Sequence, residues 1–185
     1  MSDQFAEYFA TLARYHRWAT VRLLDAIAPL NDEDYRRDVG LFFHSIHGTL
    51  NHLLVAEGLW HTRFAEGRSP VVALDAEVSA DRDELARRLR EDVARWELFV
   101  ASVPLSRYVE KLDYRTMRGS DVSLPFAATL GHVFNHGTHH RGQITAAIGA
   151  LGARFASAST LASTPASIAA PELDLVYMLQ EEQRT

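Results

Sequence analysis

The sequence predicts an all-α fold: a four-helix bundle with a crossover connection, a short β excursion before the last bundle helix and a C-terminal tail helix. Three observations predict it. Four long stretches place apolar residues three and four apart, the period of a helix with one buried face. Each stretch is bounded by Ser, Asp, Gly or Pro at the positions where helices start and stop. The segment 107–124 alone alternates apolar and polar residues around a glycine, the period of a strand pair. Apolar stripes of this kind must bury against one another, which makes a bundle.

Residues 3–28 form the first expected helix, with Phe5, Tyr8, Phe9, Leu12, Ala19, Leu23 and Ile27 on one side and Ser2 or Asp3 as cap. Pro29 and the run NDEDY break it. Residues 42–66 form the second, with Phe43, Ile46, Leu50, Leu53, Leu54, Glu57, Trp60 and Phe64 in period. Gly67 is its C-terminal cap. Residues 80–102 form the third, with Asp81 as cap and Leu85, Leu89, Val93, Trp96 and Val100 as its stripe; Pro104 ends it. Residues 107–124 read as a short hairpin or an extended crossover around a turn signal at Gly119. Residues 125–151 form the fourth helix, with Pro125 in its first turn. The Ala/Ser-rich stretch 152–170 reads as a long loop or a loosely packed segment, and 171–183 as a tail helix.

Composition bounds the function. The chain of 185 residues fits a single domain spanning 1–185. Its net charge of -5 gives no basic field for nucleic acid. The run Arg87, Arg88 and Arg90 is flanked by acidic residues and reads as a solvated face. With no cysteine, disulfides, thiolate nucleophiles and Cys-type metal sites are excluded. The start MSDQFAEYFATL lacks a basic n-region, and no apolar run is long enough to span a bilayer, so the expectation is a cytoplasmic protein without a membrane partner.

The chemistry concentrates in HVFNHGTHHRGQI, where four of nine histidines fall between His132 and His140. On a helix, His136 and His140 are one turn apart on the flank of the apolar stripe, while His132 and His139 lie further out. Ring nitrogens at that spacing can share one metal ion. A zincin protease is not expected, since the residue after His136 is Gly137 rather than Glu. Further ligands must come from elsewhere, and periodicity does not choose among His16, His44, His47, His52 and His61. His44 and His47 lie near a helix start, where exposure is expected. Glu57, on the buried side, is a candidate acid or general base behind the site, or a partner for Arg141. Gln143 and Asn51 are candidates to orient ligand imidazoles.

SIHGTLNHLLVAEGLWHTRF and LGHVFNHGTHHRGQI resemble the two signature stretches of the DinB/YfiT-like superfamily, and within it the DinB family, which is unrelated to the polymerase of that name. Tyr15 to Ala19 and ELDLVYML support the resemblance. It implies a four-helix bundle, often dimeric, with a three-histidine site for a divalent metal formed by His52, His136 and His140, and not by His139. The chain departs from the family pattern at His16 and Thr20, where Asn is common, and at Glu57, where Asp is usual.

Three neutral imidazoles leave an ion its full charge and an open position, which suits catalysis. The resemblance therefore implies a metal-dependent enzyme of the thiol-dependent transferase or hydrolase type. Zinc or nickel is the expected cofactor, and a small molecule the substrate, with a low-molecular-weight thiol as a candidate nucleophile. The alternative is a non-catalytic, stress-related protein that binds a metal or a ligand. A homodimer is expected as well.

Overall fold

The computed structural model describes residues 2–158 and 169–184. Four long helices carry it: α1 (Ser2–Ile27), α3 (Ile46–Glu66), α4 (Arg82–Ser102) and α5 (Phe126–Ala158). A one-turn helix α2 (Asp32–Arg36) and a terminal helix α6 (Leu175–Glu182) complete the helical part. A 3-10 turn over Leu105–Val109 leads into β1 (Lys111–Arg115) and β2 (Asp121–Pro125), which pair antiparallel with Tyr114 opposite Val122. Among the described residues, no helix is long and apolar enough to cross a membrane.

Packing fixes the order of helices around the bundle. α1 packs against α4 and α5, and α3 packs against the same two helices. The connections α1 to α3 and α4 to α5 therefore both cross the bundle. The expected crossover exists, and a second one accompanies it.

Two main apolar clusters fill the interior. One joins Leu23, Ile27, Ile46, Leu50, Leu85, Leu89 and Ile148. The other is aromatic, built on Phe9, Phe64, Trp96, Tyr108, Phe126 and Phe134 beneath the hairpin. α6 closes one side through Met178, against Tyr15 and Ala19. The arginine run on α4 is a solvated face, as expected: Arg87 pairs with Glu91, and Arg90 with Asp25.

Several boundaries differ from the expectations. The second long helix starts at Ile46 rather than residue 42, because the Ser45 side chain caps it by accepting from the Gly48 amide. Phe43 therefore leaves the helical stripe and sits in a strap ahead of the helix. NDEDY does not merely break the chain: Asn31 caps α2 by accepting from the Asp34 amide. Pro125 belongs to β2, and α5 begins one residue later. α5 also runs on to Ala158, into the stretch expected to be a loop, since that Ala-rich sequence costs a helix little. The rest of that stretch, 159–168, lies outside the described residues. The tail helix starts at Leu175, and residues 171–174 have no regular secondary structure, with Asp174 extended. Asp81 caps α4 and Gly67 caps α3, as expected.

Candidate metal centre

α3 and α5 run side by side and bring His52, His136 and His140 together. One ring nitrogen from each lies within 4.8 Å of the other two. The Nε2 atom of His136 is 3.1 Å from Nε2 of His52 and 3.1 Å from Nε2 of His140. His132 and His139 are exposed and stand outside the group, as the helical spacing predicts.

Hydrogen bonds at the far side of two rings fix the lone pairs. His52 donates from Nδ1 to the Leu74 carbonyl at 2.8 Å, and His140 donates from Nδ1 to Gln143 Oε1 at 2.8 Å. Both acceptors are oxygens without a proton, so each Nδ1 carries the hydrogen and each Nε2 is a bare lone pair. His136 has a single Nε2 and can donate to one neighbour at most. At least one pair of lone pairs therefore faces each other at hydrogen-bond distance.

A proton does not resolve this at neutral pH. Burial, helped by the neighbouring imidazoles of His140, His52 and His132, pushes His136 down to about 3. Burial likewise pushes His140 down to about 4, and lowers His52. Three convergent neutral nitrogen donors fit a divalent cation. The carboxylate of Glu57 adds a favourable negative field, visible as an upward pull on His136.

Other parts of the chain hold the rings in place. Leu74 lies in the loop between α3 and α4, which folds back along α3. The Phe43 ring lies flat on His52, with centroids 3.9 Å apart and planes 16° apart, and stands 5.8 Å from His140. The strap carrying Phe43 turns through His44 at φ 66, a backbone region that non-glycine residues seldom adopt. Its Phe43 carbonyl presses so closely on Gly48 that a Cβ there would collide with it.

Behind the centre runs a buried chain through all four long helices. Trp96 on α4 donates from Nε1 to Glu57 Oε2 at 2.5 Å. His16 on α1 faces Glu57 Oε1 from Nε2 at 2.8 Å. Arg141 on α5 donates to His16 Nδ1 at 2.9 Å and to Thr20 at 3.2 Å. A guanidinium only donates, so His16 Nδ1 accepts and its Nε2–H donates to Glu57. The anion and the cation are thus linked through one imidazole. Burial alone would raise the Glu57 carboxyl. The hydrogen bonds from His16 and Trp96 and the charge of Arg141 oppose it, and the carboxyl lies below its usual range. Of the partners considered for Glu57, Arg141 is reached, but through His16.

Gly137 makes room for this chain. A Cβ at that position would lie 2.5 Å from His16 Cε1 and 2.9 Å from an Arg141 nitrogen, both buried. Gly137→Ala is expected to lower stability by about 1–3 kcal/mol or more, although alanine favours helix. Chemical denaturation measures this, and an unchanged or raised midpoint would refute the close-packing reading.

Other histidines and amides settle as follows. His47 is buried rather than exposed, since the loop after α3 covers it and brings Glu77 to 2.7 Å. Asn51 orients no ligand imidazole. Its amide oxygen instead accepts from the Val78 and Ser79 amides, and its nitrogen donates to the Ser79 carbonyl, which pins that loop. Gln143 does hold the His140 ring, one of the three candidate ligands. His61 packs edge-on against Trp96. The roles of Phe43, Leu74 and Trp96 were not read from the sequence. Gly137 did carry a readable signal, a lone glycine inside a helical pattern.

The profile of the DinB family matches residues 1–167. The chain belongs to the DinB family. This DinB-family chain is also similar to Protein DinB of Bacillus subtilis (strain 168). They are 27% identical over 164 residues, which cover 84% of this chain and 91% of that protein. No solved structure matches the chain significantly. Family membership and the three-histidine group are both compatible with metal binding.

Proposed function

We propose that this DinB-family protein is a divalent-metal enzyme of the thiol-dependent transferase or hydrolase type, acting on a small molecule at His52, His136 and His140. The observation that carries the proposal is the convergence of three neutral Nε2 atoms, two of them fixed by hydrogen bonds at Nδ1. A zinc or nickel ion held by these three nitrogens would supply Lewis acidity that makes a water or a substrate thiol easier to deprotonate. A low-molecular-weight thiol is part of the proposal, because a chain without cysteine cannot supply a nucleophilic sulfur itself.

The chain's own residues do the positioning. Leu74 and Gln143 hold two rings by their Nδ1–H groups, and Phe43 shields one face of His52 from water. Both Glu57 oxygens are already engaged, which supports a positioning and electrostatic part for it in the reaction. Cytoplasmic location and the absence of a nucleic-acid partner belong to the same proposal and are supported by the lack of cysteine and the net charge of -5.

A second reading, a non-catalytic metal-binding protein, is favoured by the burial of His52 and His140, which are only 5% and 6% exposed. Metal analysis followed by turnover assays decides between the two. One divalent ion per chain, with thiol transfer or ester or amide hydrolysis that disappears on chelation and returns with the ion, supports the enzyme. A bound ion without turnover supports the second reading. No ion after incubation with zinc or nickel overturns both.

We also propose a homodimer, supported by the exposed Phe42, Leu98 and Val109. Sedimentation is expected to give the mass of two chains, and a monomer alone at micromolar protein would refute it.

A further inference from the structure

One flank of the histidine centre has no task in that reading. On α3, Ala56 is one turn past His52 and Trp60 two turns past it; on α5, His132 is one turn before His136. The pairs His52 with His140 and Trp60 with His132 show that the helices run antiparallel. Trp60 and His132 meet edge to face, with centroids 5.3 Å apart, and His132 stands 5.7 Å from His136. The opposite flank is covered by Phe43 on His52. Solvent therefore reaches the centre beside the partly exposed His136, the exposed His132 and the partly exposed Trp60.

Arg63 stands behind this aromatic wall. It is 4% exposed, and its guanidinium carbon lies 4.6 Å over the Trp60 ring and 4.5 Å over the Tyr114 ring. It donates to the Arg115 carbonyl at 3.1 Å, and among the described residues its Nε has no hydrogen-bond partner. Among the described residues, no carboxylate lies within 4.0 Å of it. A desolvated cation without a counter-ion leaves a positive potential at the nearest surface. Aromatic rings and a positive charge without a carboxylate partner among the described residues together favour a planar group bearing negative charge.

We propose that the centre's substrate is an aromatic carboxylate whose ring lies against Trp60 and His132, with its charge in the field of Arg63. This rests on the metal-enzyme reading and names its substrate class. Stacking of this kind is expected to contribute roughly tenfold in affinity, about 1.4 kcal/mol.

Calorimetric titration of the zinc-loaded protein with 2-naphthoate tests the proposal, with cyclohexanecarboxylate and 2-naphthamide as non-planar and uncharged controls. The wild type is expected to bind 2-naphthoate about tenfold tighter than either control. Trp60→Leu should weaken binding about tenfold and Trp60→Phe restore most of it, while zinc content and circular dichroism stay unchanged. His132→Ala, at an exposed position, should weaken binding without touching the fold, and so serves if Trp60→Leu fails to fold. Equal binding by zinc-loaded, folded variants overturns the proposal, as does no preference over the controls or no binding at millimolar 2-naphthoate. Those outcomes leave the metal reading standing. Should the wild type hold no zinc, the metal reading fails separately. The same titrations of metal-free protein then judge the aromatic wall by the same criterion.

Discussion

Replacing His136 with alanine is expected to strip the protein of its metal. His136 Nε2 is the atom that lies 3.1 Å from each of the other two donors, so its loss leaves two nitrogens on different helices without their common neighbour. Changing a residue that merely holds a ligand ring typically weakens metal binding by about 10–100-fold, and removing a ligand should exceed that. Plasma mass spectrometry of purified protein should fall from one ion per chain to near none, with His52→Ala and His140→Ala behaving alike. His132→Ala and His139→Ala should keep the ion, since both rings are exposed and outside the group. Full metal content in folded His136→Ala would mean that the ion sits elsewhere.

Glu57→Gln is expected to destabilise the fold sharply while sparing the ion. The carboxylate accepts two N–H donors, from His16 and Trp96. An amide offers one oxygen and one NH2, so one donor would face another donor. The substitution also removes the anion that balances Arg141, itself buried and linked through His16. Breaking one side of a buried charge pair costs about 3–5 kcal/mol. For a chain of this size that lowers the melting temperature by roughly 6–20 °C. Differential scanning calorimetry reads the loss, and metal analysis below the transition should still find one ion. A variant as stable as the wild type would show that the buried chain does not depend on charge. Once a reaction is in hand, a fall in kcat with KM and metal unchanged in Glu57→Gln would support its proposed part in catalysis.

The sequence carried the long helices because a buried face leaves a period that any one helix records by itself. Leu85, Leu89, Val93, Trp96 and Val100 show it for α4, and all five are buried. The pair His136 and His140 was legible for the same reason: a one-turn spacing within one helix fixes their proximity before any packing. His52 was not legible that way. Its distance to α5 depends on how two helices meet, and only the resemblance to the DinB family singled it out from four other histidines. Helix ends were read less well where a local cap competes with the apolar period. Ser45 capping α3 freed Phe43 to cover His52, although Phe43 fits the helical stripe by spacing.

By itself, then, the sequence determined the helices, the capping of α3 and α4 at Gly67 and Asp81, and the pair of histidines on α5. All of these are written in spacings of a few residues. For 107–124 it left a hairpin or an extended crossover, and the structure decided for the hairpin. The tertiary structure alone decided that Leu74 turns the His52 imidazole toward the two on α5. It also decided that Glu57 reaches Arg141 through His16, and that Gly137 is where α1 comes close enough to α5 for that link. These contacts join residues as far as 125 apart in the chain, so they follow from how the helices pack rather than from any local pattern.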